Sequence, residues 1–230
     1  MFCFPFSAFT PKTLTCERIR LAVSDYNRGE YLRNDLGLRA TLEAVQNLPP
    51  SLGRFVSEVC VVADWGSIPY FRFKHRVVMA GEIQTLWPLL QSMRTLRADN
   101  DWSAETTMMS IAVDVLSQTR LLEPIPDDWQ SKRKKRRQLS FLSKYLHWCI
   151  NDAFPIWDSR ARRALSNRRN DASWPSYKEW LSQVRQEVAN HRACCLEKIR
   201  LPGESLIRTL DKALYIIDDS ARKSPEHPKP

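Results

Sequence analysis

The chain has 230 residues, a hydrophobic content of 43% and a formal net charge of +9. This length and apolar content suit one domain, or two small helical lobes that share a cleft. The sequence has only six glycines and contains no GxGxxG or GxxxxGK[ST] pattern, so we expect no nucleotide cofactor. It also lacks a run of about 18 apolar residues, which predicts that no segment spans a membrane.

The first nine residues are apolar, but they include Pro5, lack a basic leader and are soon followed by Lys12. A secretory signal usually begins with basic residues and continues through a longer apolar region. We therefore expect a cytoplasmic protein without a membrane partner, and we expect a monomer.

Hydrophobic residues recur with helical spacing in several windows, and no window alternates for long enough to indicate a strand. We therefore predict one all-α domain over residues 1–223, with two lobes. The middle lobe covers about residues 80–165, and the N-terminal segment packs with the C-terminal helices. An extended segment near Tyr70–Val78 stays open because aromatic and basic residues alternate there. Residues 224–230 are expected to form a disordered tail.

Apolar stripes and boundary signals locate the individual helices in chain order. Pro88 interrupts one stripe and should kink or restart its helix, and another helix begins after Ser103. A capping box at Ser176 and Glu179 starts a long helix, which Pro202-Gly203 separates from the last one. The predicted buried faces are Ile83, Leu86, Trp87, Leu90 and Met93; Leu139, Leu142, Leu146, Cys149 and Ile150; Trp180, Val184, Val188, His191 and Cys195; and Leu206, Leu210, Ala213, Leu214 and Ile217.

The six cysteines include no CxxC pair, and the adjacent Cys194 and Cys195 should point to different sides of a helix. We predict that the cysteines are buried, reduced thiols. Four ligands at a spacing suited to a zinc site or an iron–sulfur cluster are not found, so we expect no metal.

Positive charge is concentrated between residues 131 and 169, where twelve basic residues accompany two acids. This window carries a net charge of +10, whereas the rest of the chain carries −1. Such a local field is typical of a surface that contacts a phosphate backbone. A solvated basic face and a short disordered arm at 132–137 are the alternatives. The candidate DNA-binding residues are Lys132, Arg133, Lys134, Lys135, Arg136, Arg137, Arg160, Arg162 and Arg163.

The stretch from Gln138 to Arg163 carries the most chemical information. It reads as an amphipathic helix with Lys144 near its start, a short apolar turn, and Asp158 at the start of the next helix. Taken alone, such an aspartate can be explained as a helix N-cap.

The whole pattern resembles the helix-hairpin-helix DNA glycosylase superfamily, which includes the endonuclease III, adenine glycosylase and 8-oxoguanine glycosylase branches. Phe154-Pro-Ile-Trp-Asp158-Ser-Arg-Ala-Arg-Arg163 stands where that superfamily has FPVDTHVxR, and Ser143-Lys144 stands where it has the hairpin lysine. The resemblance covers about Leu139 to Leu165. The hairpin glycines and the cysteine cluster of the endonuclease III branch are missing, which indicates a divergent branch.

The resemblance implies an enzyme that cleaves an N-glycosidic bond in double-stranded DNA. Asp158 would stabilise the positive charge that develops on the deoxyribose. Lys144 would either attack C1′ and form a Schiff base, or only contact a phosphate. Because the base must leave the duplex, an aromatic pocket is expected, and the candidates are Trp157, Trp65, Tyr70 and His147. For each of these four, ordinary interior packing is the alternative.

The resemblance also suggests a substrate, since outlying branches include phage-defence enzymes that remove bulky modified bases. A hypermodified cytosine of phage DNA, for example a glucosylated one, is the substrate we expect. The main alternative is a non-catalytic DNA- or RNA-binding protein in which Asp158 only caps a helix. A metal-dependent nuclease would need a carboxylate cluster that the sequence does not offer.

Overall fold

The computed structural model describes residues 14–66, 73–94, 134–165 and 177–223. This part of the chain contains eight helices longer than one turn and no strand, so the all-α prediction is confirmed. The helices are α1 (Cys16–Arg28), α2 (Glu30–Gln46), α3 (Leu52–Trp65), α4 (Phe73–Met93), α5 (Lys134–Tyr145), α6 (Ser159–Leu165), α7 (Tyr177–His191) and α8 (Leu206–Lys223). Two π-helical turns, π1 (Leu146–Ile150) and π2 (Arg192–Leu196), extend α5 and α7, and a single turn (Glu197–Ile199) follows π2.

Short polar side chains begin four of these helices. The hydroxyls of Thr15, Ser51 and Ser205 and a carboxylate oxygen of Asp158 each accept a hydrogen bond from a backbone N–H of the first turn, at 2.8 to 3.3 Å. Each bond satisfies one of the amides that lack a partner at a helix start. The turn before α8 contains Gly203 at φ 80°, a left-handed conformation that favours glycine. The predicted break at Pro202-Gly203 is therefore confirmed.

The helices pack in two groups. Helix α8 lies against α1, α6 and α7, while α3 lies against α2, α4 and α5. Helix α2 also contacts α1, and the segment 151–158 leads from π1 to α6 and so joins the groups. Buried apolar residues from both groups form one continuous core. None of the helices in the described ranges combines the length and apolar character needed to cross a membrane.

Most residues of the predicted apolar stripes are buried in this core, whereas Leu139 and His191 are half-buried. Four of the five stripe residues on α4 are buried, Leu86 packs against the core, and the helix continues through Pro88 without a restart. The extended segment considered near Tyr70–Val78 is wrong for residues 73–78, which belong to α4. His75, Met79 and Ile83 are four residues apart and are all buried, so the buried side of this segment follows the spacing of a helix and not that of a strand. The helix expected after Ser103, the capping residue Ser176 and the tail 224–230 lie outside the described residues.

The prediction of reduced cysteines is wrong for one pair, because a disulfide joins Cys16 of α1 to Cys194 of π2. These residues are 178 positions apart in the sequence, and they come together because α1 packs against π2. Among the described cysteines, Cys149 and Cys195 are free and buried, and Cys60 is free and half-buried. Cys3 lies outside the described residues.

Candidate active site

A cavity of about 780 Å³ opens where both helix groups meet the segment 151–158. Side chains from α1, α2, α3, α5, α6 and α8 line it, together with the residues that connect π1 to α6. This volume lies within the range of about 300–1,000 Å³ that is usual for small-molecule sites. Lys144 and Asp158, the two catalytic residues predicted from the sequence, both line this cavity.

Asp158 is half-buried at the start of α6. One of its carboxylate oxygens accepts a hydrogen bond from the backbone N–H of Ala161 at 2.8 Å, and its carbonyl oxygen accepts one from Arg162 N–H at 3.2 Å. These bonds fix the carboxylate at the cavity wall, beside a helix terminus that favours negative charge. The structure therefore gives Asp158 the capping role expected from the sequence and also gives it access to the cavity.

Lys144 is the last-turn lysine of α5 and is only 8% exposed. Its Nζ donates a hydrogen bond to the Ser140 hydroxyl at 3.1 Å. Burial lowers the pKa of the Lys144 ammonium, while the negative charges of Asp158 and Asp211 act in the opposite direction. A lowered pKa increases the fraction of neutral amine, the form that can act as a nucleophile.

Two of the four predicted pocket aromatics line the cavity. Trp157 is held by a hydrogen bond from its backbone N–H to the Ser143 hydroxyl at 2.9 Å, and the Arg162 guanidinium lies 5.0 Å from its ring centroid. Trp65 reaches the cavity from the end of α3 and packs edge-on against Trp148 at 5.1 Å. Tyr70 lies outside the described residues.

His147 does not line the cavity. It is 2% exposed within π1, and its Nδ1 lies 2.7 Å from the Phe154 carbonyl oxygen. Burial lowers the pKa of His147 well below its ordinary value, so the ring is neutral and Nδ1–H donates this bond. The alternative raised from the sequence, an interior histidine, describes this position.

The predicted DNA-binding residues fall into four sets. Arg160 and Arg162 line the cavity, whereas Arg163 forms a two-bonded ion pair with Asp218 of α8, at 2.7 and 2.8 Å. The backbone of residues 134–137 forms the start of α5, so the disordered arm considered for 132–137 is wrong for these four residues. Lys132 and Arg133 lie outside the described residues.

Another part of the cavity wall contains a charged network that the sequence did not predict. The Arg208 guanidinium donates to Asp211 at 2.5 Å, to the Tyr26 hydroxyl at 2.9 Å, and to the Asp35 carboxylate. The Tyr26 hydroxyl in turn donates to Asp35 at 2.8 Å. All four residues line the cavity. Burial, together with the negative charges of Asp158 and Asp35, raises the pKa of Asp211 to about 7, although Arg208 acts in the opposite direction.

Three tyrosines form an aromatic cluster beside this network. The rings of Tyr26 and Tyr31 stack at 5.5 Å, and Tyr215 meets Tyr31 edge-on at 5.0 Å. The Arg160 guanidinium lies 4.3 Å from the centroid of the Tyr215 ring. The contact between Arg160 and Tyr215 therefore links α6, whose arginines were predicted to bind DNA, to the part of the cavity wall on α8 that was not predicted.

One signal for the missed wall is present in the sequence. Arg208, Asp211, Lys212 and Tyr215 have the spacing i, i+3, i+4 and i+7, which places them on one face of the last helix. Their partners Tyr26 and Asp35 carry no comparable local pattern. The pairing of Asp35 with Arg208 spans 173 residues and depends on the packing of α8 with the N-terminal helices.

No protein-family model, no curated protein and no solved structure matches this chain. The function is therefore inferred from the cavity itself and from its residues.

Proposed function

We propose that the protein is a DNA glycosylase that excises a flipped-out modified base and leaves an abasic site. The observation that carries this proposal is the meeting of Asp158, Lys144 and aromatic side chains at one cavity next to arginines. The proposal includes a divergent helix-hairpin-helix glycosylase fold with two lobes.

In this mechanism, Asp158 provides the negative charge. Breaking the N-glycosidic bond leaves positive charge on C1′ and O4′ of the deoxyribose, and a nearby fixed carboxylate stabilises that charge. Because the α6 backbone already orients the carboxylate of Asp158, little reorganisation is required during the reaction.

Asp211 is suited to handle a proton in the same cavity. A carboxyl group with a pKa of about 7 can accept a proton from an attacking water at neutral pH and release it again. In this proposal, Asp211 accepts the proton of the group that attacks C1′, either a water or the Lys144 amine.

Lys144 has two possible roles that predict different products. If its neutral amine attacks C1′, a Schiff base forms and the strand can be cut, whereas a lysine that only contacts a phosphate leaves the abasic site intact. Its burial and its lowered pKa favour the nucleophile.

The substrate class follows from the cavity walls. Tyr31 and Tyr215 are half-buried and line the cavity beside the buried ring of Trp157, so they provide aromatic side chains for an extruded base, as base-flipping enzymes require. A cavity of about 780 Å³ has room for a base with a large substituent, and the exposed polar side chains of Arg33 and Asn34 at its wall can bond to sugar hydroxyls. We infer a bulky modified base, such as a glucosylated cytosine of phage DNA, and a role in antiviral defence.

A second candidate function is non-catalytic binding of nucleic acid. The observation that favours it is the hydrogen bond from Ala161 N–H to Asp158, which gives the carboxylate a complete structural role. The basic window between residues 131 and 169 would then bind phosphates without chemistry.

Asp158→Asn separates the two functions. We expect a loss of base release on the order of a hundredfold or more, because a neutral amide cannot offset the charge on the sugar. Melting temperature and DNA affinity should stay near wild type, because the amide oxygen can still cap α6. The experiment measures single-turnover base release from phage DNA by mass spectrometry, with Asp25→Asn as a control for an exposed aspartate on α1 outside the cavity.

Two outcomes would reject the mechanism. If Asp158→Asn releases base at the wild-type rate, the carboxylate is only a cap. If wild-type protein binds DNA but releases no base from any modified DNA tested, the binding function replaces the glycosylase.

Borohydride trapping distinguishes the two roles of Lys144, a nucleophile or a phosphate contact. We expect wild-type protein to form a covalent adduct with substrate DNA when borohydride is present, and we expect Lys144→Met to form none. An adduct of equal yield in Lys144→Met would place the nucleophile elsewhere, while base release without any adduct would make the enzyme monofunctional.

A further inference from the structure

Four metal-binding side chains meet at the junction of α1, α7 and π2. One ligand atom from each of Cys16, His191, Cys194 and Cys195 lies within 4.8 Å of all the others. The Nδ1 atom of His191 is 3.5 Å from Cys16 Sγ and 3.9 Å from Cys194 Sγ. In a tetrahedral zinc site with ordinary Zn–S and Zn–N bonds, neighbouring donor atoms are separated by roughly 3.5 to 3.8 Å. The two distances from His191 are therefore close to those of a zinc site, whereas the bonded sulfur atoms of Cys16 and Cys194 must separate before both can bind a metal.

The end of α7 explains how two adjacent cysteines join one cluster. His191, Cys194 and Cys195 have the spacing i, i+3 and i+4, which places them on one side of a helix. Both cysteine Sγ atoms lie against the His191 carbonyl oxygen, at 3.4 and 3.5 Å. The sequence-based expectation that they point to different sides is wrong, and π2 is one of the π-helical turns that often occur at functional sites.

The surroundings of the cluster also suit a metal site. The second ring nitrogen of His191, Nε2, lies 3.6 Å from a carboxylate oxygen of Glu187, one turn earlier on α7. Histidines that bind zinc commonly direct their other nitrogen to a carboxylate, which fixes the ring orientation. Three thiolates and Zn²⁺ would carry a net charge of −1, and a cation lies beside the cluster, since the Arg20 guanidinium donates a hydrogen bond to the Cys194 carbonyl oxygen at 2.7 Å.

We propose that Cys16, His191, Cys194 and Cys195 bind a structural Zn²⁺ ion in the reduced protein. The Cys16–Cys194 disulfide is then the oxidised, metal-free state of the same cluster. A dithiol reductant supplies two electrons and two protons to this disulfide and becomes a disulfide itself. Zn²⁺ then displaces the three thiol protons, which pass to solvent, and His191 binds as the neutral ring.

A zinc ion bound here would stabilise the position of α1, which forms part of the cavity wall. Helix α1 packs against both π2 and α8, and near its C-terminal end it carries Tyr26, which lines the cavity. Sulfur-rich tetrahedral sites favour Zn²⁺ over the harder divalent cations, and a closed set of four protein ligands indicates a structural role.

The test titrates Zn²⁺ into wild-type protein reduced with a phosphine, against a chromophoric chelator. We expect one tightly bound Zn²⁺ per chain and a higher melting temperature with zinc, reversed by chelation. Tetrahedral Co²⁺ bound in place of zinc should show intense visible absorption and a thiolate charge-transfer band. These measurements do not involve base release, so their outcome is independent of the proposed function.

Variants assign the ligands. Cys195→Ser leaves the disulfide pair in place, and we expect it to weaken zinc binding by more than a hundredfold, while Cys60→Ser outside the cluster binds as wild type. Glu187→Gln should weaken binding by about 10- to 100-fold, the usual effect of losing such an outer partner. If Cys195→Ser does not fold, Glu187→Gln and the Co²⁺ spectrum decide. The proposal is overturned if reduced wild type binds no stoichiometric zinc, or if Cys195→Ser and Glu187→Gln both bind it as tightly as wild type.

Discussion

Two buried networks in this protein use the same three kinds of side chain in different proportions. Away from the cavity, Arg54 donates to Glu58 at 2.9 Å, and the Tyr145 hydroxyl donates to the other oxygen of Glu58 at 2.5 Å. At the cavity wall, Arg208 is shared between two carboxylates, Asp35 and Asp211, and Tyr26 completes the network.

The difference lies in the charge balance. One guanidinium faces one carboxylate in the first network, so its charges cancel and its groups are held in fixed positions. In the second network, one guanidinium faces two carboxylates, and Asp211 carries the raised pKa of about 7. A balanced network stabilises the fold, whereas an excess carboxylate at a cavity leaves a group that can exchange a proton near neutral pH.

The largest expected effect comes from removing the arginines. Arg208→Met would leave two carboxylates buried without a cation, and we expect it to lower the free energy of unfolding by about 5 kcal/mol. Arg54→Met leaves the one carboxylate of Glu58 without a cation and should lower the free energy of unfolding by about 3 kcal/mol. Urea unfolding monitored by circular dichroism measures both. Equal losses for the two variants would contradict the difference in charge balance.

Removing one carboxylate should have opposite consequences in the two networks. Glu58→Gln leaves Arg54 without its counter-charge, and we expect a loss of about 3 kcal/mol. Asp211→Asn gives Arg208 a one-to-one balance with Asp35, and at pH 8 we expect stability equal to wild type or higher. Destabilisation of Asp211→Asn comparable to that of Glu58→Gln at pH 8 would show that Asp211 is an ordinary ion-pair partner.

The pH dependence of the same variant gives a sharper result. Folded protein keeps the Asp211 proton up to about pH 7, whereas the unfolded chain releases it near the ordinary pKa of about 4. The folded state therefore binds more protons between these values, and this group lowers wild-type stability as pH rises through that window, by at most about 1.4 kcal/mol per pH unit. Above about pH 7 the contribution levels off. Asp211→Asn should lack this component, as melting curves from pH 4.5 to 8.5 would show.

The smallest effect is expected from the tyrosine hydroxyls. Tyr145→Phe leaves one oxygen of the buried Glu58 without its donor and should cost about 1 to 3 kcal/mol. Tyr26→Phe should cost about 1 kcal/mol, because Arg208 still donates to Asp35. Chemical unfolding at pH 7 compares the two variants. A larger loss of stability for Tyr26→Phe than for Tyr145→Phe would mean that the Tyr26 hydroxyl stabilises Asp35 more than Arg208 does.

Local sequence patterns were sufficient for much of the fold and for one wall of the site. The stripes on α4, α5 with π1, and α8 follow from residues three and four positions apart, and so does the start of α6 at Asp158. Lys144, Trp157 and Asp158 were predicted together because they belong to one short segment with a recognisable pattern, and each of them lines the cavity, while their roles stay predictions.

What the sequence did not predict depends on contacts between distant helices. Asp35 and Arg208 are 173 residues apart, and Cys16 and Cys194 are 178 apart, so no local spacing relates either pair. The grouping of Cys16 with His191, Cys194 and Cys195 was missed for the same reason, because Cys16 lies 175 or more positions before the other three.

The pairing of α1 with α8 has a consequence for the synthesis of the protein. About 180 residues separate the end of α1 from the start of α8, so at typical translation rates roughly 10 to 40 s pass before α8 is made. The group of α2, α3 and α4 can form during that interval, while the apolar face of α1, which includes Ile19 and Val23, lacks α8. The cavity is therefore assembled only after translation of α8, and the nascent chain is most open to chaperone binding before that point.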